Sequence, residues 1–157
     1  MDTHAQDVPK LGALRPPRIY LASIVAGALL GIAVPLTFVP EPFALPIGAP
    51  LAAIAVALLV WAVRTFRTAG TPVPAREPTT TIVRNGPYRF SRNPIYLAYS
   101  LFQLGLAIAL DNGWLLATLA GAMALIHYHV IPREEEYLER RFGAQYSEYR
   151  RSVRRWL

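Results

Sequence analysis

A polar island, Gly86-Pro87-Tyr88-Arg89-Phe90-Ser91-Arg92-Asn93-Pro94-Ile95-Tyr96, stands between apolar stretches, and Glu134-Glu135 answers it after a further long apolar run. Carboxylates accept hydrogen bonds and suit ribose hydroxyls or an ammonium, while arginine and asparagine suit a carboxylate or a purine edge. A ligand with both amino-acid and nucleoside parts would use all of these groups. The plainer alternative is that the arginines snorkel from helix ends, that Glu136 and Arg140 form an ordinary i,i+4 pair, and that Glu134-Glu135 caps a helix. Pro132 removes a backbone donor and is expected to break the chain there, leaving the two glutamates at a new helix N-terminus. The residues alone leave both readings open, with the ligand site preferred.

Other chemistry is thinly supplied. With no cysteine in the chain, disulfides, thiolate metal sites and cysteine nucleophiles are excluded. His127 and His129 sit two residues apart, on different faces of a helix, and the third histidine is the distant His4. No zinc site is expected, and a polar residue near the membrane interface is the preferred reading of each.

The elements that must position the island are membrane helices. Of 157 residues, 54% are hydrophobic and only 17% charged, too little charge for an ordinary soluble surface. The stretch 19–39 has no side chain charged at neutral pH and, at about 1.5 Å per residue, reaches roughly 31 Å, enough to cross a hydrocarbon core. It is too long for the apolar part of a secretory signal and is followed by more membrane-length runs, so a retained helix is expected. Further spans are expected near 47–66, 95–110 and 113–131, with Asp111-Asn112-Gly113 as the compact turn of a hairpin. The expected fold is all-α, a single polytopic membrane domain of about four transmembrane helices.

Charge placement gives the topology. Lys10, Arg15 and Arg18 precede the first span, six arginines lie between the second and third, and seven follow the fourth, which accounts for all 16 basic residues. The two remaining connections carry acidic residues and no basic one. Positive charge is retained on the cytoplasmic side, so both termini and the loop 67–94 are expected there. The net charge of +6 is this signal plus attraction to anionic headgroups, and no nucleic-acid partner is expected.

Pro35 should kink or end the first helix, and Pro40, Pro42, Pro46 and Pro50 should make a stiff, short connection. Pro72, Pro74, Pro78 and Pro87 disfavour helix in the central stretch, which reads as an ordered loop. Beyond Pro132, Leu138, Phe142, Tyr146, Tyr149, Val153 and Trp156 recur every three or four residues, one face of an amphipathic helix over 133–156. Arg154 and Arg155 fall on its polar side, and Gly143 is a candidate for a bend or division. Tyr20, Trp61, Trp114 and Tyr128 read as interfacial anchors. Gly27 and Gly31, four residues apart, suit a close helix contact, within one chain by the economical reading, and a monomer or weak homo-oligomer is expected.

Phe66 with Gly70-Thr71, the run Gly86 to Tyr96, Glu134-Glu135, Leu138, Phe142-Gly143, Tyr146, Tyr149, Val153 and Arg155-Trp156, in that order, resemble the isoprenylcysteine carboxyl methyltransferase family, with phospholipid N-methyltransferases of the same membrane superfamily similar. The resemblance covers roughly the C-terminal two-thirds. It implies S-adenosylmethionine as methyl donor. It also implies that Tyr88, Arg89, Arg92, Asn93, Pro94 and Tyr96 form one wall of the cofactor site, that Glu134 and Glu135 lie opposite, and that the C-terminal helix closes the pocket through Tyr146 and Tyr149. By the same analogy Arg92 is the catalytic candidate, orienting an anionic acceptor. Many members carry histidine where this chain has Asn93, which can donate and accept hydrogen bonds but cannot exchange protons near neutral pH.

The implied reaction is in-line displacement of methyl from a sulfonium, in which positioning supplies most of the catalysis and no protein nucleophile is required. The acceptor would be a lipophilic small molecule or lipid entering through an apolar opening. Compact family members imply a bacterial inner membrane. A nicotinamide-dependent membrane reductase of the steroid-reductase type is the runner-up, since such enzymes share an Arg-x-Pro-x-Tyr region. Their extra spans are lacking here, and the paired glutamates favour methyl transfer. A non-enzymatic membrane scaffold explains the spans but leaves the polar island without a purpose.

Overall fold

A computed structural model of the chain describes residues 15–70 and 79–157. Lys10, Pro72, Pro74, Arg76 and Pro78 lie outside the described residues. Among the described residues every regular element is helical.

Helix α1 is Pro16–Ala33, opened by prolines whose missing N–H groups are no loss in a first turn. It stops at Ala33, short of residue 39, because Pro35 disfavours helical geometry in the residue before it. Val34 is accordingly extended, with φ −139° and ψ 94°. Helix α2 is Glu41–Thr68 and contains Pro46 and Pro50. The stiff connection expected from these prolines is therefore largely helix. At i,i+4 spacing from Pro42, each proline's lost donor would have faced the carbonyl of the proline before it, so the three defects fall on one helix face and leave the rest of the ladder intact.

Helix α3, Pro94–Ala109, has 16 residues, about 24 Å of rise. Helix α4, Gly113–Leu125, runs through a π-helical turn, Ile126–Val130, into α5, Ile131–Phe142. Three helices, Pro16–Ala33, Glu41–Thr68 and the continuous Gly113–Phe142, are long and apolar enough to cross a membrane, and α3 is the shorter apolar helix among them. The break expected at Pro132 does not occur. The wider π turn just before it relaxes the hydrogen-bond ladder where the proline would otherwise clash and lack its donor. Glu134 and Glu135 thus sit within a continuing helix and not at a fresh N-terminus.

The chain divides at Gly143, whose φ of 51° suits glycine, and continues as α6, Ala144–Ser152. The helix expected to reach residue 156 ends there, and Val153 is extended. Trp156 and Arg155 consequently do not occupy helical positions.

Helix α2 packs along α3, α1 along α4, and α3 against α4. The α2–α3 contact is close because glycines face backbone: a Cβ on Gly48 would lie 2.2 Å from Ala109 N, and one on Gly105 2.6 Å from Ala52 N. Gly27 and Gly31 serve the same purpose within the chain, against Leu115 and Thr118 and against Asn112. Tyr20 is no interfacial anchor. It is 3% exposed, its hydroxyl 2.8 Å from Ser100 Oγ in the core between α1 and α3. At the far end, Asn112 Oδ1 accepts from Trp114 N to cap α4, and Asp111 Oδ1 accepts from Phe38 N at 2.6 Å and Val39 N at 2.7 Å, tying the α1–α2 connection to the hairpin turn.

Candidate functional site

At the opposite end of the bundle the polar island forms a 3-10 turn, Gly86–Arg89, and then the N-terminus of α3. Pro94 opens α3, so Asn93 is the last residue before the helix and Tyr96 falls in the first helical turn. Because α3 and α4 form a hairpin, α5 returns to the same end with Glu134 and Glu135.

These elements enclose a cavity of about 560 Å³, within the range of small-molecule sites. Arg15, Pro16, Pro17 and Arg18 of the α1 start, Phe66 of α2, Thr79, Thr81, Ile82 and Val83 of the loop, Asn93 with Pro94, Ile95, Tyr96 and Tyr99 of α3, Glu134, Glu135, Tyr137 and Leu138 of α5, and Tyr146 and Tyr149 of α6 contribute to its wall. Phe66, Ile82, Val83, Ile95 and Leu138 make part of that wall apolar.

The two glutamates are not equivalent. Tyr96 Oη donates to Glu134 Oε1 at 2.6 Å. Glu135, by contrast, is locked between two arginines. Arg92 Nη1 lies 3.0 Å from its Oε1, and Arg155 donates to both oxygens, Nε to Oε1 at 3.1 Å and Nη2 to Oε2 at 2.7 Å. Fork-to-fork geometry of that kind is the strongest form of arginine–carboxylate pairing.

Tyr88 is buried, its ring edge-on to Phe66 with centroids 4.8 Å apart, and its carbonyl accepts from Tyr149 Oη at 2.8 Å. Arg92 Nη1 also donates to Tyr146 Oη at the long distance of 3.4 Å. Burial pushes the phenols of Tyr88, Tyr146 and Tyr149 above their ordinary pKa, so all three remain neutral donors through neutral and mildly alkaline pH. Asn93 Nδ2 donates to Arg155 O at 3.0 Å, so this side-chain amide is engaged with the chain's own tail.

Of the residues named from the sequence, Tyr88, Arg92, Asn93, Pro94, Tyr96, Glu134, Glu135, Tyr146 and Tyr149 all line this one cavity. Arg89 does not. It is exposed, with its guanidinium carbon 5.1 Å from the centroid of the exposed Phe90 ring, because the 3-10 turn buries Pro87 and Tyr88 and leaves the next two side chains outside. Thr79, Tyr99 and Tyr137 line the cavity without having been singled out, since nothing in their local sequence distinguishes them from packing residues. Arg155 was assigned to a solvent face by helical extrapolation. The chain turns inward after Ser152 and delivers it to Glu135 instead.

Three buried polar atoms among the described residues have no hydrogen-bond partner: Tyr88 Oη, Arg92 Nε and Tyr137 Oη. All three side chains line the cavity, and orphaned buried donors are expensive unless something else uses them. Together with Glu134 and the apolar wall, they suit a ligand that combines an amino-acid group, hydroxyls and an aromatic ring. S-adenosylmethionine has this donor and acceptor chemistry, and the residues present fit it.

Comparison with known proteins gives the same direction. A model of the phospholipid methyltransferase family matches residues 43–145. Protein-S-isoprenylcysteine O-methyltransferase B of Arabidopsis thaliana is 32% identical over 80 residues, which are 50% of this chain and 40% of that protein. An uncharacterized protein of Haemophilus influenzae is 36% identical over 63 residues, 40% of this chain and 100% of that protein. The chain thus covers less than half the length of the plant relative. No solved structure matches.

Proposed function

The chain belongs to the phospholipid methyltransferase family, and from that premise we propose that it transfers a methyl group from S-adenosylmethionine to a lipophilic acceptor drawn from the bilayer. The observation that carries this reading is the coexistence, in one cavity at a helix-bundle end, of Glu134, the unspent Arg92 Nε and an apolar wall.

Each residue has a task. Glu134, oriented by Tyr96, would accept hydrogen bonds from hydroxyl or ammonium groups of the cofactor. Tyr88 and Tyr137 would offer their free hydroxyls, and Tyr146 and Tyr149 on α6 close the chamber against water. S-adenosylmethionine, when bound, supplies an electrophilic methyl on a sulfonium whose leaving group is a neutral thioether. Arg92 orients an anionic group, and the surrounding helices hold the partners in line, where positioning alone is worth several orders of magnitude in rate. No side chain has to act as nucleophile.

The acceptor would enter beside α1 and α2, which flank α3 without an extensive contact between them among the described residues. Arginine placement supports a cytoplasmic site and cytoplasmic termini. By analogy with compact family members, a bacterial inner membrane is the proposed location, with surrounding lipids as partners and a monomer or weak homo-oligomer as the working unit.

Calorimetric titration of detergent-purified protein with S-adenosylhomocysteine, beside NADPH, tests the proposal. We expect the homocysteine adduct to bind and NADPH not to. Glu134→Gln should weaken binding by about tenfold or more, as loss of a charged hydrogen-bond acceptor does. Binding of NADPH alone would overturn methyl transfer in favour of reduction.

A further inference from the structure

The tail after α6 runs beside residues 91–93, and its backbone does the anchoring. Arg154 O accepts from Arg92 N at 3.0 Å, and Arg155 O accepts from Asn93 Nδ2 at 3.0 Å and Ser91 Oγ at 3.4 Å. The Arg155 side chain is then free for a separate task. It takes both oxygens of Glu135, at 3.1 and 2.7 Å, while Arg92 reaches only Oε1, at 3.0 Å.

Two guanidinium charges therefore share one carboxylate, and the cluster keeps one positive charge. Its placement follows from burial. The Arg92 and Glu135 side chains are 10% and 9% exposed, so a charge there is weakly screened. Arg92 lines the cavity and has a buried Nε with no partner, whereas Arg155 is not among the lining residues. Without Arg155, Arg92 and Glu135 would form a closed neutral pair, and the wall beside α5 would lose its positive charge, leaving Arg15 and Arg18 at the α1 start as the cations lining the cavity. Glu134 presents its carboxyl group to the same cavity.

We propose that Arg155 is a positioning residue which, by taking both oxygens of Glu135, leaves Arg92 only partly compensated on the cavity wall and so makes the site selective for a ligand carboxylate. This rests on the methyl-transfer reading. Two ligands could bring that carboxylate: the amino-acid part of the cofactor, or the acceptor.

The test compares Arg155→Gln, which keeps hydrogen-bonding capacity but removes the charge, with Arg155→Lys, which keeps the charge. Binding is measured for two ligand pairs. One is S-adenosylhomocysteine and its decarboxylated analogue, which retains the ammonium. The other is an N-acetyl prenylcysteine and its carboxamide. Arg155→Gln should weaken the acid of one pair by about 10- to 100-fold, the range for a lost charged hydrogen bond, and leave its carboxylate-free counterpart without a comparable loss. Arg155→Lys should restore the preference. The affected pair identifies whether cofactor or acceptor brings the carboxylate. Equal loss for acid and analogue would reduce Arg155 to a structural strut and overturn the proposal, as would no loss at all. Failure of the wild-type protein to bind any of the four probes would instead sink the methyl-transfer reading, and this inference with it.

Discussion

Tyr96 donates its phenolic hydrogen to Glu134 Oε1 over 2.6 Å, joining the first turn of α3 to α5 across 38 residues of chain. The bond fixes which rotamer the carboxylate presents to the cavity, and it holds the two helices of the hairpin in register at their open end. Tyr96→Phe should therefore lower S-adenosylhomocysteine affinity by about fivefold to tenfold, the worth of one buried hydrogen bond to a charged group. Titration calorimetry reads this directly. Wild-type affinity in the variant would show that Glu134 does not need Tyr96 to meet its ligand.

Two arginines three residues apart should behave oppositely. Arg89 is exposed and lies over the exposed Phe90 ring, outside the cavity, so Arg89→Ala should change neither ligand affinity nor melting temperature beyond the small effect of a surface substitution. Arg92→Ala leaves Glu135 buried with Arg155 as its remaining partner and takes the donor from Tyr146. A loss of about 1–3 kcal/mol in stability is expected, with ligand binding abolished or nearly so. Parallel thermal melts and titrations would check the pair, and equal behaviour of the two variants would sink the distinction.

What the sequence made legible follows local rules, and what it hid depends on where a distant segment turns. The hairpin was readable because Asp111-Asn112-Gly113 is a self-contained turn signal, and the cavity residues because the hairpin returns α5 to the end where α3 begins. The role of Glu135 was hidden. It depends on the tail leaving helical geometry after Ser152, and periodicity extrapolated through that point puts Arg155 in solvent. Prolines misled in one direction: at 42, 46 and 50 their i,i+4 spacing let α2 absorb them, and at 132 a π turn did, whereas Pro35 ended its helix as local sterics require.

Alkaline pH should weaken the fold through the site's phenols. Burial raises the folded-state pKa of Tyr88, Tyr146 and Tyr149, all outside the spans. A raised folded pKa leaves stability complete below the unfolded value of about 10 and removes it as pH rises further, because the unfolded chain releases protons that the folded one keeps. Stability and ligand binding should be flat, as far as these groups decide them, from about pH 7 to 9.5. Phenolate absorbance in native detergent solution should show these tyrosines ionising later than in denaturant, and Tyr149→Phe should remove one of the late titrations. Ionisation of all tyrosines together near the ordinary value would contradict the burial.

The α2–α3 crossing decides where the island sits, because α3 carries Asn93 and Tyr96 at its start and meets α2 through glycine. A methyl group added at Gly48 or Gly105 meets backbone, Ala109 N at 2.2 Å and Ala52 N at 2.6 Å, and backbone cannot step aside as a side-chain tip can. Gly48→Ala or Gly105→Ala should force the helices apart, with a loss of about 1–3 kcal/mol typical of overpacking. Gly121 provides the control. It lies inside α4 with nothing within 4 Å of its added Cβ, so Gly121→Ala should be neutral or stabilise by up to about 1 kcal/mol from helix propensity alone. Melting temperatures in detergent separate the three variants. Ligand titration adds the functional arm: displacement of α3 carries Tyr96 away from Glu134, so the crossing variants should lose affinity even at temperatures where they remain folded, and Gly121→Ala should not.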